Sequence, residues 1–206
     1  MALTLFAGVA VADEVTIAAL GDSLTQGYGL PLEQGFVPQL EAWLRAQGHA
    51  VTVLNAGVSG DTTAGGLARV EWTLTPEVDA MIVALGGNDL LRGIDPAVSR
   101  ENLAGILEVT QAAGLPVLLA GLPAPGNYGP DYQAAFNAMF PELAETYGTL
   151  YAENFLGGLG DAAGADPLVI ARLMQSDGIH PSADGVALMV AALGPQVEAL
   201  IGLVEQ

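Results

Sequence analysis

Short apolar runs alternate along this chain with segments in which apolar residues recur every three or four positions. The apolar runs occupy 15–20, 51–55, 78–85, 116–122 and 149–151. Runs of this length, bounded by glycine and polar residues, are typical of strands buried on both faces of a parallel sheet. The segments with helical spacing lie between them, at 36–44, 67–74, 103–107, 132–147 and 186–193.

Regular alternation of strands and helices predicts an α/β fold of three layers, with a doubly wound parallel sheet of five strands and helices on both faces. The 206 residues suit one domain, which we expect to cover 13–206. Asp166 before Pro167, and Ser182 before the last apolar segment, predict helix N-termini. The glycine-rich segment 157–160 is interpreted as a flexible connection.

The first twelve residues differ from the rest of the chain. Residues 3–11 are apolar, and Ala10-Val11-Ala12 before Asp13 has the small residues of a signal-peptidase site. A basic segment ahead of the apolar run is missing, so 1–12 is interpreted as a short or truncated export signal, with a plain apolar N-terminus as the alternative. An export signal predicts a periplasmic or secreted protein.

The charge balance excludes several classes of partner and of chemistry. The formal net charge is −18, with five arginines and no lysine, which repels nucleic acid and anionic membranes. Without lysine or cysteine there is no Walker A loop, Schiff base, Ser-Lys dyad, disulfide or thiolate metal site. No apolar run reaches the length of a membrane span. We expect a monomer without stable membrane insertion that acts on a small molecule.

Polar residues suited to acyl transfer follow the predicted strands. Ser23 follows the first strand, Gly60 the second and Asn88 the third, and ligands of open α/β sheets bind beyond these strand ends. Near the C-terminus, Asp177 and His180 supply an acid and a base three residues apart. This set predicts a nucleophile with its base at one edge of the sheet. In the alternative interpretation, Asp22 and Ser23 only cap the next helix.

Four blocks carry a resemblance to the SGNH, or GDSL, hydrolase family. They are Gly21-Asp22-Ser23-Leu24, the glycine at 60, Gly86-Gly87-Asn88-Asp89 and Asp177-Gly178-Ile179-His180-Pro181, in that order. Segments 57–63, 86–93 and 127–129 are most similar to the bacterial group of multifunctional esterases, acyl-CoA thioesterases I and lysophospholipases. The resemblance implies a flavodoxin-like sheet and a serine esterase that needs no cofactor or metal and hydrolyses acyl esters, thioesters or lysophospholipids through an acyl-enzyme. Carbohydrate O-acetylesterase activity is the alternative within the family.

The resemblance also implies a role for each residue. Ser23 would attack the acyl carbon, His180 would take its proton, and Asp177 would orient the imidazole. The oxyanion hole would consist of the N–H groups of Ser23 and Gly60 and the side-chain amide of Asn88. The net charge of −18 disfavours a polyanionic substrate, so neutral esters are expected ahead of CoA thioesters.

Other interpretations of these residues are less favoured. The nucleophile elbow of an α/β-hydrolase, G-x-S-x-G, is not present, because Asp61 stands where the segment starting at Gly57 would need its second glycine. A non-catalytic, flavodoxin-like binding protein could hold a phosphate with Ser23 and Thr25. A carboxylate metal site could be imagined from the aspartates that follow the strands, Asp22, Asp61 and Asp89. His49 has no nearby aspartate and is interpreted as structural.

Overall fold

A parallel sheet of five strands, in the order β2-β1-β3-β4-β5, forms the centre of the molecule. The computed structural model describes residues 14–163 and 166–205, so the predicted export signal lies outside the described residues. The predicted doubly wound α/β fold is confirmed. The strands are β1 Val15–Gly21, β2 Val51–Gly57, β3 Ala80–Ala84, β4 Val117–Ala120 and β5 Leu150–Ala152.

Helices connect the strands and cover both faces of the sheet. Two short 3-10 turns, Leu32–Gln34 and Gly126–Tyr128, lie in the loops after β1 and β4. The helices in the described residues are α1 Ser23–Gln26, α2 Phe36–Ala46, α3 Thr63–Thr73, α4 Gly87–Leu91, α5 Pro96–Ala112, α6 Pro130–Tyr147, α7 Gly157–Ala163, α8 Pro167–Leu173 and α9 Ala183–Val204.

Successive side chains of β1 serve opposite layers, because side chains alternate across a strand. Ile17 and Ala19 belong to a buried cluster with α2, α7 and α9. Ala18 and Leu20 belong to a second cluster with α3, α5 and α6. Every residue of β1 from Ile17 to Leu20 is fully buried, which explains its continuous apolar run.

The ends of the first three strands are aligned. Gly21, the last residue of β1, pairs with Gly57 at the end of β2 and with Ala84 at the end of β3. The loops that carry Ser23, Gly60 and Asn88 therefore leave the sheet at one level. The chain passes from β1 to β2 on one side and then returns to β3 on the other side of β1. At such a switch point in strand order, the loops diverge and leave a crevice between them.

The glycine-rich segment at 157–160 is helical, so the predicted flexible connection is wrong. These residues begin α7, which packs on α9. A Cβ atom at Gly158 would lie 2.2 Å from the carbonyl oxygen of Leu188 in α9. Glycine is needed there for close approach of two helices, and this contact outweighs its low helix propensity.

Both predicted N-caps are confirmed. The Asp166 carboxylate accepts a hydrogen bond from the Leu168 N–H, and the Ser182 hydroxyl accepts one from the Gly185 N–H. Within the described residues, α9 is the one helix long and apolar enough to cross a membrane. It packs against α2 and α7, and its buried residues belong to the core cluster, so we assign it as a core helix.

Candidate active site

Ser23, His180 and Asp177 form a continuous chain of hydrogen bonds at the carboxyl edge of the sheet. The Ser23 Oγ lies 2.8 Å from Nε2 of His180, and Nδ1 of the same ring lies 2.7 Å from Oδ2 of Asp177. Since the carboxylate can only accept, the proton belongs on Nδ1, which leaves Nε2 free to accept the serine proton. The three residues predicted as catalytic are thus brought together.

Asp177 is held in place by the loop that carries it. Its Oδ1 accepts hydrogen bonds from the backbone N–H groups of Ile179, at 2.9 Å, and His180, at 3.0 Å. The hydrogen bond from the His180 ring and these two backbone bonds lower the pKa of the Asp177 carboxyl from 3.8 to about 2. Asp177 is therefore ionised and oriented throughout the range in which an esterase would work.

A glutamine ties this acid-base loop to the loop after Ser23. The Gln175 Nε2 donates to the carbonyl oxygens of Tyr28, at 2.8 Å, and Pro181, at 2.9 Å. The Gln175 backbone N–H donates to the carbonyl of His180 at 2.7 Å. The ring of Tyr28 lies beside the imidazole, with 4.6 Å between centroids. These contacts help to hold the His180 loop beside the loop that follows Ser23.

Gly60 lies in a tight turn after β2. The Asp61 N–H donates to the Val58 carbonyl at 3.0 Å, and Gly60, the third residue of this turn, has a φ of +82°. That dihedral is the one a type II turn requires at its third position. A Cβ atom at Gly60 would meet only the Nη2 atom of Arg92, at 3.8 Å, so the dihedral and not the space makes glycine necessary.

Asn88 lies in the first turn of α4, after β3. Its Nδ2 donates to Oδ2 of Asp22 at 3.2 Å, and the Asp22 Oδ1 accepts from the Leu24 N–H at 3.0 Å. Asp22 is therefore both the cap of α1 and the partner of Asn88. Burial raises the pKa of the Asp22 carboxyl above 3.8, although both hydrogen bonds oppose this shift.

An apolar pocket of about 320 Å³ adjoins the Ser23 hydroxyl. The polar side chains that line it belong to Asp22, Ser23, Ser59, Asn88 and His180. Leucines are the most frequent lining residues, which suits the hydrocarbon part of an ester. The apolar lining residues are Leu24, Tyr28, Leu90, Leu91, Leu122, Leu156 and Ile179.

Comparisons with known proteins identify the family. The model of the GDSL-like lipase/acylhydrolase family matches residues 19–188. The chain belongs to this family. Esterase TesA of Pseudomonas aeruginosa is 38% identical over 187 residues, covering 90% of this chain and 89% of that protein. Thioesterase 1/protease 1/lysophospholipase L1 of Escherichia coli strain K12 is 33% identical, covering 90% and 85%.

A solved structure supports the same assignment. The crystal structure of AlinE4, an SGNH-hydrolase family esterase, has a TM-score of 0.74 and 43% sequence identity, covering 92% of this chain and 97% of that one. The predicted resemblance is confirmed. The protein is a GDSL esterase, an acylhydrolase with the serine-dependent chemistry of its family.

The structure of this GDSL esterase separates the residues on which the less favoured interpretations depend. The Thr25 side chain is buried against Gly21 and does not line the pocket, so it is not placed to hold a phosphate together with Ser23. His49 lies 3.0 Å from a carboxylate oxygen of Glu198 in α9 and outside the pocket, which agrees with a structural role.

The three aspartates after the strands have separate partners. Asp22 binds Asn88, Asp61 pairs with Arg69 at 2.7 Å, and the fully buried Asp89 accepts from residues of α3 and α5. Within the described residues, no three histidine, aspartate or glutamate side chains are grouped as metal ligands. The less favoured interpretation of these aspartates as one metal site therefore finds no support in their positions.

The residues that support the site are not indicated by the sequence pattern. Asp22 and Arg92 lie in segments that resemble the family, but the pattern gives them no role in holding the site, and it does not mark Gln175 at all. All three lie within five residues of a predicted site residue along the sequence. This nearness is the indication in the sequence by which they could be found. Their partners are distant along the chain, and no periodicity reports such contacts.

Proposed function

We propose that Ser23 is the nucleophile of this esterase, that His180 is its general base and that Asp177 orients the imidazole. The N–H groups of Ser23 and Gly60 and the Nδ2 of Asn88 would bind the oxyanion. The observation that carries the proposal is the 2.8 Å distance between Ser23 Oγ and His180 Nε2 at the wall of an apolar pocket.

The reaction takes two steps. The Ser23 Oγ attacks the acyl carbon while its proton passes to Nε2 of His180, and the imidazolium then returns this proton to the departing alcohol or thiol. A water molecule next gives a proton to His180 and attacks the acyl-serine. Collapse of that intermediate releases the carboxylic acid and restores the Ser23 hydroxyl, with the proton coming back from His180.

Neutral acyl esters are the substrates that this site favours. The leucine-lined walls offer apolar contact to an acyl chain and few partners for a sugar, which ranks acyl esters above acetylated carbohydrates. The net charge of −18 opposes association with polyanionic CoA. Lysophospholipids with a zwitterionic headgroup avoid that penalty, and lysophospholipase is among the activities named for the Escherichia coli relative.

A panel of nitrophenyl esters of increasing chain length, with an acetylated sugar, a lysophospholipid and an acyl-CoA alongside, tests the proposal. We expect turnover of the esters without added metal, unchanged after EDTA treatment, with kcat/KM rising from acetyl to medium chains. Ser23→Ala should abolish turnover and keep the melting temperature of the parent. More than a few per cent of the original kcat in Ser23→Ala would overturn the proposed roles.

Export and a monomeric state complete the proposal. If residues 1–12 are a signal, the mature protein from the native host should begin at Asp13 and be found outside the cytoplasm. N-terminal sequencing of the mature protein and size-exclusion chromatography test both points. Ala12→Glu, which puts a charge at the predicted cleavage position, should leave the precursor uncleaved. A native protein that keeps residues 3–11 and stays in the cytoplasm would refute export.

A further inference from the structure

Two of the proposed oxyanion donors come from strands that are not neighbours. Gly60 follows β2 and Asn88 follows β3, and β1 lies between them in the sheet. Adjacent strands lie about 4.8 Å apart, so the two loops leave the sheet at points about 10 Å apart. Strand pairing alone therefore does not set the distance between the Gly60 N–H and the Asn88 amide. Contacts that the loops themselves make must do so.

An arginine of the Asn88 segment reaches across to the Gly60 turn. The Arg92 Nη2 donates to the Gly60 carbonyl oxygen at 2.8 Å. Arg92 is joined to the residue that carries the side-chain donor, because its backbone N–H donates to the carbonyl of Asn88 at 3.1 Å. The side chain thus bridges the two places from which oxyanion donors project.

A buried carboxylate makes a second link between the same two loops. Asp89, next to Asn88, accepts from the Thr63 N–H at 2.9 Å and from the Thr63 hydroxyl at 2.6 Å. Ser99 adds a third hydrogen bond, at 2.9 Å, to the same carboxylate. Thr63 begins α3, three residues after Gly60. The segment from Gly60 to Thr63 is therefore tied to the Asn88 segment at two points, by Arg92 at Gly60 and by Asp89 at Thr63.

The charge of Arg92 is not used in an ion pair within the described residues. Arg45, Arg69 and Arg100 each pair with a carboxylate, whereas Arg92 and Arg172 form no ion pair with a described residue. The Arg92 side chain is exposed, and its hydrogen bond goes to the Gly60 carbonyl. A hydrogen bond from a charged donor to a carbonyl is stronger than one between neutral groups.

We propose that Arg92, assisted by Asp89, is a positioning residue that holds the Gly60 N–H in register with the Asn88 amide. The inference rests on the proposed oxyanion hole. The turn fixes the φ of Gly60. Because Arg92 also holds the Gly60 carbonyl by a hydrogen bond, the direction of the Gly60 N–H is restricted as well. Donors must lie within about 2.7–3.1 Å of the oxyanion. A small displacement of this N–H therefore weakens the stabilisation of the transition state more than the binding of the substrate.

Arg92→Met tests this, because methionine keeps an apolar stem and removes the donor and the charge. We expect kcat for a neutral nitrophenyl ester to fall about tenfold, less than the roughly 10²–10³ for deleting a donor outright, with KM and melting temperature nearly unchanged. Arg92→Lys, which retains a cationic donor, should recover most of the loss. Arg172→Met, which removes an exposed arginine of α8 outside the pocket, is the matched control and should have the kcat of the parent.

Two further measurements separate a positioning role from a purely structural one. Phosphonylation of Ser23 by a neutral aryl phosphonate also develops a charged oxygen, so its rate should fall in Arg92→Met in parallel with kcat. In Asn88→Ala the added effect of Arg92→Met should shrink, because both changes act on one oxyanion site. Fully additive effects would contradict the proposal.

The remaining outcomes distinguish failure of this inference from failure of the proposed function. If Asn88→Ala leaves kcat unchanged, the proposed oxyanion hole is wrong. If Asn88→Ala lowers kcat while Arg92→Met and Arg172→Met both keep the kcat of the parent, the proposed oxyanion hole is supported. Arg92 then does not position it. A rise in KM confined to esters with anionic leaving groups would show that Arg92 contacts the substrate, which also overturns the positioning role.

Discussion

The side-chain amide of Asn88 donates one of its two hydrogens to the carboxylate of Asp22, with 3.2 Å between Nδ2 and Oδ2. Asp22 is 4% exposed and directly precedes Ser23. The bond fixes the direction of the amide and leaves its second hydrogen for another acceptor. The Asp22 carboxylate thus fixes the direction of the amide that we propose as an oxyanion donor, although burial makes the ionisation of this carboxylate costly.

Asp22→Asn should lower kcat and raise the melting temperature at neutral pH. An amide at position 22 presents a donor to the Asn88 donor, so we expect kcat to fall about tenfold through loss of alignment. Burial raises the pKa of Asp22, so the ionised form destabilises the folded state at neutral pH, and the variant should melt at a higher temperature there. This gain should vanish below pH 3.8, where Asp22 is protonated in both the folded and the unfolded state. Thermal unfolding at about pH 7 and about pH 3 measures it, and an unchanged kcat would refute the aiming role.

Asn88→Ala should lower kcat by about 10²–10³ while KM and melting temperature change little, because an oxyanion donor meets full negative charge only in the transition state. Asn88→Asp should be at least as harmful, since it places a second carboxylate beside Asp22 and beside the oxyanion. Steady-state kinetics and calorimetry on both variants are the measurements. A lower melting temperature with near-normal kcat would make Asn88 a structural residue only.

Acidification should lower activity, because a protonated His180 imidazole cannot accept the Ser23 proton. Asp177, with a pKa of about 2, contributes no proton to this loss above that pH. Protonation of Asp22, whose pKa burial raises above 3.8, should remove the ionised acceptor of the Asn88 amide and add to this loss. The log of kcat/KM against pH should therefore steepen at its acid end in the parent and keep unit slope in Asp22→Asn.

The low pKa of Asp177 also affects the acid stability of the acid-base loop. Because this pKa is lower in the folded protein than the ordinary 3.8, ionisation of Asp177 favours the folded state above pH 3.8. This contribution is lost as the pH falls through about 2. Asp177→Asn should consequently show a weaker dependence of melting temperature on pH across that interval. An identical dependence in parent and variant would contradict the assignment.

Gln175→Leu should lower kcat several-fold, since the change removes the two side-chain hydrogen bonds from Gln175 to the carbonyls of Tyr28 and Pro181. These bonds connect the His180 loop to the loop after Ser23. Gln133→Leu is a matched control. Gln133 is also half-buried and donates to a backbone carbonyl, that of Ala124, at 2.8 Å outside the pocket. Both variants should lose about 1 kcal/mol of stability per lost bond. Equal kcat values for the two would show that Gln175 is merely structural.

The strands and the reacting residues can be predicted from the sequence because both leave local signals. A buried parallel strand is a short apolar run, and a ligand site of this fold lies where such a run ends, so the pattern itself points to Ser23, Gly60 and Asn88. Asp177 and His180 are recognisable because they are three residues apart and follow the family pattern. Their catalytic roles stay predictions until the variants are measured.

The supporting contacts could not be predicted, because each joins distant parts of the chain. Asp22 and Asn88 are 66 residues apart, and Gln175 and Tyr28 are 147 apart. Hydrophobic periodicity reports which face of an element is buried and not which polar group meets which. The error at 157–160 has the same origin, since the local propensity of glycine predicts a flexible segment while packing against α9 decides the structure.

Ser23 and His180 are separated by 157 residues, and α9 follows the histidine directly. During translation, Ser23 leaves the ribosome long before His180 has been made. The imidazole then reaches the serine only when the last helix docks against the sheet. If the proposed roles hold, a nascent chain should show no ester turnover before this helix has docked.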